Sequence, residues 1–279
     1  MSIIKALWIR NLKAFWRNKP ALIFNLIFPF FFIFVFGEIF RMDGMIENPE
    51  AFMLAGIIIA TVFDSAFRVS TNTIDDITSG FMKEVLVSPI SRLNIAIGQF
   101  ISSATIATVQ GLIIFVIGFF IGLRVTSPLT IVYALLAMVF IGLVFAGFGL
   151  LIATRTKNMQ TFQAVSIAIT MPMSFISGAY IAVTHLPIAL RWVSLFNPLT
   201  YAVVLFRTIA LEHLGLSTAE LVQAQTSFTV GGFTVTPFIS VMVLLGFGAI
   251  FLALSTISFT KTDFSKMNRN KNDGLEGFD

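Results

Sequence analysis

The chain has 279 residues, of which 57% are hydrophobic and 11% charged, with 18 Lys and Arg against 14 Asp and Glu for a formal net charge of +4. A water-soluble chain carries about a quarter charged residues, so the composition excludes a soluble enzyme, a disordered regulator and a secreted disulfide scaffold. With no Cys there is neither disulfide nor thiolate chemistry, and the basic residues lie in short segments between apolar runs rather than on one nucleic-acid-binding face.

Residues 2–18 open the chain. Ile4, Leu7, Trp8, Leu12, Phe15 and Trp16 share one arc of a helical projection, and Arg10, Lys13 and Arg17 the other. That pattern predicts an amphipathic helix lying in the membrane interface with its tryptophans at headgroup depth. Crossing a hydrocarbon core of about 30 Å takes about 20 apolar residues. Six runs meet that requirement: residues 22–40, 51–71, 95–123, 129–153, 162–183 and 237–259. They are continuous rather than alternating, so they predict helices and not barrel strands. Pro29 is expected to bend the first.

Lys and Arg residues divide unevenly between the connecting segments. Thirteen precede span one, join spans two to three and four to five, or follow span six. Only Arg41, Arg124, Arg191 and Arg207 lie on the other side. The bias places both termini in the cytoplasm of a cell-membrane protein. Within span two, Asp64 and Arg68 are four residues apart and can pair along one helix face, either as a neutralised contact or as a polar element of a translocation path.

The loop after span two is the most patterned polar segment. Asp75-Asp76 is expected to cap a short amphipathic helix over residues 75–88, with Ile77, Phe81 and Val85 four apart on one face. Pro89 stops it, and Gly80 permits a close backbone approach. Such a helix needs a surface to bury against, either headgroups or a protein. Span five carries Met171, Pro172, Ser174 and Phe175, and its Phe and Met side chains would furnish an adaptable apolar wall; ordinary helix packing is the alternative.

Residues 185–236 are apolar at first, but Asn197-Pro198 divides residues 189–210 into two pieces too short to cross. They are predicted to be re-entrant or interfacial helices. Further on, Phe228-Thr229-Val230 and Phe233-Thr234-Val235 flank Gly231-Gly232, the pattern of a β-hairpin. On this topology Ser227 is expected to be reachable from outside the cell. Residues 261–279 form a polar cytoplasmic tail. There is no G-x-x-x-x-G-K-[ST] sequence to cradle nucleotide phosphates, and His185 and His213 are the only histidines. Neither a metal site nor a hydrolytic triad is expected.

Two stretches carry a resemblance to a known family. One is the loop with Asp75-Asp76, Gly80, Lys83-Glu84-Val85-Leu86 and Ser88-Pro89-Ile90-Ser91-Arg92. The other is Leu186-Pro187 through Trp192, then Phe196-Asn197-Pro198-Leu199-Thr200-Tyr201-Ala202 and Arg207. Together with the span layout they resemble the membrane subunit of ABC-2 type (type V) exporters. The loop departs from that pattern in having Asp75-Asp76 where a basic-acidic mixture is common, and Phe81 after the glycine where a small residue is frequent.

The resemblance implies an all-α membrane protein: one ABC-2 domain over residues 1–260, with six transmembrane helices, the N-terminal helix, a coupling helix and external re-entrant helices. It implies a permease without an ATPase site of its own, paired with a second copy or a relative and with two separate ABC ATPase subunits that hold ATP and Mg. Asp76, Ile77, Gly80, Phe81, Glu84, Val85 and Pro89 would couple to the ATPase. Phe63, Phe67, Met171, Ser174 and Phe175 would line the substrate path, and Asn197, Pro198 and Tyr201 would form an external gate. The expected substrate is a hydrophobic drug or antibiotic. Export of polysaccharide or lipid-linked glycan is the alternative, and a membrane-embedded lipid-modifying enzyme is the reading from another class.

Overall fold

A computed structural model describes residues 3–20, 22–23, 27, 30–31, 48–78, 91–156 and 158–261. The elements in order are α1 (Ile3–Arg17), α2 (Pro49–Val69), α3 (Thr71–Thr78), α4 (Arg92–Ile121), α5 (Pro128–Arg155), α6 (Met159–Ile176), α7 (Ile188–Ser194), α8 (Pro198–Ala210), α9 (Thr218–Gln223), β1 (Phe228–Val230), β2 (Phe233–Val235) and α10 (Pro237–Lys261). Expected span one and the tail beyond Lys261 lie largely or wholly outside the described residues, as do Gly80, Phe81, Glu84, Val85 and Pro89.

Among the described residues, α2, α4, α5 and α10 are long and apolar enough to cross a membrane, and the bent pair α7–α8 makes a fifth if counted as one span. The halves of that pair meet at 85°. Asn197 accepts from Leu199 N–H at 3.0 Å and Pro198 takes the first helical position, so the chain restarts a helix in a new direction where a proline is tolerated. Expected span five is not among these helices. Its helix α6 has 18 residues and carries Gln160, Gln163, Ser166, Thr170 and Ser174, which dilute its apolar character. It also stops at Ile176 rather than reaching Val183, because Gly178 turns the backbone to φ +88°.

Helix α2 is the axis of the bundle, with apolar side chains buried on all sides from Ala51 to Phe67; a helix apolar all round belongs in an interior. It packs against α4, α5 and α8, while α5 packs on α10. An aromatic column fastens these helices. Phe63 meets Phe145 edge-on at 4.6 Å, Phe67 meets Phe148 at 5.4 Å and stacks on Phe162 at 5.8 Å, and Phe148 stacks on Phe251 at 4.6 Å. Such pairs add about 1 kcal/mol each to simple burial.

The hairpin forms as its sequence predicts. β1 and β2 pair antiparallel with Phe228 opposite Val235. Gly231 and Gly232 both have positive φ, 56° and 82°, which is what a two-residue turn matched to strand twist demands. This hairpin lies at the same end of the bundle as α7–α9; α1 and α3 mark the opposite end.

The N-terminal helix forms where expected, but its apolar arc meets protein. Leu7 is buried over Gly98 of α4. Trp8 donates its indole N–H to Thr105 Oγ1 at 3.1 Å, so this tryptophan is held by α4 and not by headgroups, whereas Trp16 is exposed. The signal that sequence reading passed over is Asn11. It falls on the Leu7 stripe one turn later, where an interfacial helix has no use for an amide.

Candidate functional site

Three polar constellations stand out against the apolar bundle, one at each end and one between α2 and α6. At the α1 end, side chains from three helices form a closed ring. Arg10 donates to Asp76 Oδ2 at 2.5 Å and to Asn11 Oδ1 at 3.0 Å. Asn11 Nδ2 donates to Gln99 Oε1 at 2.9 Å, and Gln99 Nε2 donates to Asp76 Oδ2 at 3.3 Å. Reversing either amide would set oxygen against oxygen, so the ring has one consistent orientation. Asp76 is 8% exposed. Burial pushes its carboxyl above the ordinary aspartate range, while the Arg10 and Gln99 bonds pull it back down.

This arrangement corrects the expected cap. Asp75-Asp76 does not start a helix over residues 75–88; both lie within α3, which begins at Thr71 only two residues after α2 ends. The Asp76 carboxylate turns into the protein, where Arg10 offers a better partner than a free backbone N–H. Ile77 is the last but one residue of the same helix.

The second constellation is a cleft of about 340 Å³ between α2 and α6, lined by Asp64, Arg68, Thr71, Phe162, Gln163, Ser166, Ile167 and Thr170. Arg68 Nε donates to Asp64 Oδ2 at 2.7 Å, the i,i+4 pair that the sequence spacing predicts. Phe162, Ser166, Thr170 and Ser174 recur every four residues and are the side chains that α6 buries. Met171 and Phe175 sit on its exposed side, Met171 at 53%. Of the expected path-lining residues, Met171 and Phe175 therefore face outward and Ser174 faces the bundle. Phe63 and Phe67 are enclosed in the aromatic column by this chain's own rings.

At the hairpin end, Arg207 is 3% exposed. Its guanidinium sits 3.6 Å over the Phe52 ring and donates to the carbonyls of Phe52 (3.2 Å), Gly178 (2.9 Å) and Ala179 (3.4 Å). One cation thus joins α8, the start of α2 and the turn after α6. A β-carbon on Gly56 would overlap the Ala179 carbonyl oxygen and crowd Arg207, so the junction requires glycine there. The expected gate residues lie at the start of the same helix α8. Asn197 Nδ2 donates to Met173 O at 2.7 Å, and Tyr201 O–H to Leu195 O at 2.7 Å. Asn197 and Tyr201 therefore anchor the bent pair to α6 and to itself, and Pro198 starts its second helix.

Sequence reading did not single out Glu212. Its backbone is left-handed at φ 59°, and its carboxylate accepts from Thr126 N–H (2.9 Å), Ser127 N–H (2.8 Å), Thr130 Oγ1 (3.1 Å) and the Thr126 hydroxyl. A carboxylate at the N-terminus of α5 also complements the helix dipole. These bonds, the Thr126 hydroxyl first, hold its pKa down at about 2. A depressed carboxylate stabilises the fold at pH above its unfolded value, near 4.5, and that contribution disappears as pH falls through about 2. The thermal midpoint in lipid nanodiscs is expected to fall more steeply between about pH 5 and about pH 2 for the unmodified chain than for Glu212→Gln. Parallel pH profiles would show that the clamp contributes nothing.

The sequence profile of the ABC-2 type transporter family matches residues 3–211, and the chain belongs to that family. Its relatives are transport permeases and nodulation proteins. It is 27% identical over 217 residues to nodulation protein J of Rhizobium leguminosarum bv. viciae, covering 72% of this chain and 80% of the relative. It is 27% identical over 209 residues to the putative transport permease ycf38 of Cyanophora paradoxa, covering 72% and 70%. The probable multidrug ABC transporter permease YbhR of Escherichia coli (strain K12) is 27% identical over 162 residues, covering 58% of this chain and 41% of the relative.

Proposed function

We propose that this ABC-2 permease subunit forms the membrane half of an exporter that moves a hydrophobic or amphipathic small molecule out of the cell. In this reading it pairs with a second copy or a homologous permease and with two ABC ATPase subunits, which bind ATP and Mg. The chain crosses the cell membrane six times: once over residues 22–40, then as α2, α4, α5, α6 and α10, with both termini cytoplasmic. The bent pair α7–α8 is re-entrant from outside.

The observation that carries the reading is the Arg10–Asn11–Gln99–Asp76 ring. It fastens the root of the loop expected to touch the ATPase to both α1 and α4. A push on Gly80, Phe81, Glu84, Val85 and Pro89 would reach α3 and be shared at once with two further helices. ATP-driven closure then becomes a rigid-body movement of two membrane halves. Substrate passes between α2 and α6 of the two halves, along Met171 and Phe175, and the junction of Asn197, Pro198 and Tyr201 closes the outer exit.

The deciding experiment is co-purification of the chain with its ATPase, followed by ATPase and transport assays on Phe81→Ala and Glu84→Ala. Both variants are expected to retain ATP hydrolysis and to lose at least about tenfold of the transport that accompanies it. Unchanged coupling in both would remove the loop from the contact. Topology is tested separately. Ser227 is buried and makes a poor label site, contrary to its sequence position. Ala219, exposed on α9, is the better one in this cysteine-free chain. Ala219→Cys should react with an impermeant maleimide on intact cells; reaction only after lysis would invert the topology.

A second reading, export of a polysaccharide or lipid-linked glycan, draws support from the polar residues Asp64, Arg68, Thr71, Gln163 and Thr170 that help line the α2–α6 cleft.

A further inference from the structure

We infer that Arg92 is a positioning residue: it ties the second root of the loop expected to touch the ATPase to the last turn of α10, so that α10 carries the loop's movement to the hairpin end of the bundle. This rests on the exporter reading and gives it a route beside the Arg10–Asn11–Gln99–Asp76 ring. Arg92 is the first residue of α4, directly after the cap Ser91. On local grounds a cation is unfavourable there, because a helix start is the positive end of its dipole, and α4 has no acidic residue in its first turn. The side chain serves another helix instead. Its Nη1 donates to the Thr260 carbonyl at 2.6 Å. That carbonyl lies in the last turn of α10, where carbonyls have no partner within their own helix and form the negative end of its dipole. A side chain that is out of place in its own helix thus completes a helix end 168 residues further along the chain.

The turn that Arg92 holds is gripped from other sides as well. Phe259 is fully buried among Leu7 of α1, Ile95 and Phe100 of α4 and Leu150 of α5. Ser258 Oγ accepts from Thr154 Oγ1 at 2.9 Å and from Arg155 Nε at 3.2 Å, both at the end of α5. Ser258, Phe259 and Thr260 are consecutive and so cover about 200° of the helix surface. Held over that arc, the end of α10 follows the start of α4.

Helix α10 has 25 residues and is a rod of about 37 Å at about 1.5 Å per residue. It begins at Pro237, just after β2 of the hairpin, and packs along α5 and α8. Helix α8 carries Arg207 and the bent junction. The two roots of the loop therefore reach different helices: the Asp76 root is bonded to α1 and α4, and the Arg92 root passes from α4 to α10. A rigid helix gripped at one end and packed on the junction's helix is the physical means of passing a displacement between the two ends.

The test uses the chain in nanodiscs with its ATPase. Phe238, 71% exposed at the hairpin end of α10, takes the label in this cysteine-free chain: Phe238→Cys carries bimane, whose emission reports the surroundings of that end. The labelled complex is expected to shift its emission on trapping with ATP and vanadate. Arg92→Met, added to it, keeps the apolar stem and removes the donors. It should retain the ATPase at native stoichiometry with an unchanged KM for ATP, yet reduce the emission shift at least about fivefold. Arg92→Lys should restore the shift to within about twofold, since an ammonium also donates to a carbonyl. Ser258→Ala loosens the same turn from the α5 side and should leave the shift intact, which separates transmission from the stability of the turn. No emission shift in the labelled complex, a full shift in Arg92→Met, or an equal loss in Ser258→Ala would overturn the inference. An Arg92→Met chain that fails to fold or loses its ATPase would give the residue a structural or contact role and overturn it too. An unmodified chain that comes down with no ATPase would sink the exporter reading and this route with it. An intact, ATP-hydrolysing complex indifferent to Arg92→Met would sink the route alone.

Discussion

Arg207→Ala is expected to destabilise the chain by at least about 3 kcal/mol, measured by denaturant or thermal unfolding in mixed micelles. The guanidinium is the shared donor for the carbonyls of Phe52, Gly178 and Ala179, and it covers the Phe52 ring at 3.6 Å. Charged donors contribute about 1.5–3 kcal/mol per bond, and truncation also leaves a cavity under an aromatic ring. Arg207→Met fills the volume without donating and should recover only part of the loss. Arg207→Lys restores a cation but not the planar fork that reaches three carbonyls on two segments, so it should fall between Met and the native residue. An unchanged midpoint in Arg207→Ala would mean that those carbonyls are satisfied without it. Gly56 depends on the same junction, since its missing side chain is what lets the Ala179 carbonyl reach Arg207.

Asp76→Ala is the second large effect. It removes the acceptor shared by Arg10 and Gln99, leaving a cation and a buried amide without it. A loss of about 2 kcal/mol is expected, between the small values of exposed ion pairs and the 3–5 kcal/mol of fully buried ones, because the Arg10 side chain is itself 35% exposed. Arg10→Ala should cost less, and the double variant less than the sum. A cycle of the two singles and the double is expected to return an interaction energy of about 1–2 kcal/mol. An additive result would show that the ring does not act as a unit. On the proposed mechanism, Asp76→Asn should hold the fold better than Asp76→Ala, since the amide oxygen still accepts from Arg10, yet transmit ATPase motion less faithfully.

Reading the sequence alone located elements better than it located partners. The hairpin was legible because Gly231-Gly232 between two Phe-Thr-Val triplets admits few other local structures. The Asp64–Arg68 pair was legible because i,i+4 neighbours on a helix meet whatever surrounds them. The break at Asn197-Pro198 was legible because a cap and a proline end and restart a helix locally. Asp76 was misread for the complementary reason. A cap is the best local use of an aspartate, and its better partner, Arg10, lies 66 residues away in sequence. Phe63 and Phe67 were read as lining the substrate path, but whether a phenylalanine on a helix buried on most sides faces a path or a neighbouring ring depends on where α5 and α6 are placed.

The sequence by itself therefore determined that the chain lives in a membrane, where its main apolar helices run, that a hairpin follows the bent pair, and which family it resembles. Those properties follow from hydropathy, turn chemistry and helix periodicity, which act over a few to about 20 residues. Only the tertiary structure decided which polar groups meet: Arg207 with the carbonyls after α6, Glu212 with the start of α5, and Asn11 with Gln99. In an apolar bundle each such group must find a partner or bear the desolvation cost. The partner is chosen by the rotation and depth of whole helices, and no local stretch of sequence encodes that choice.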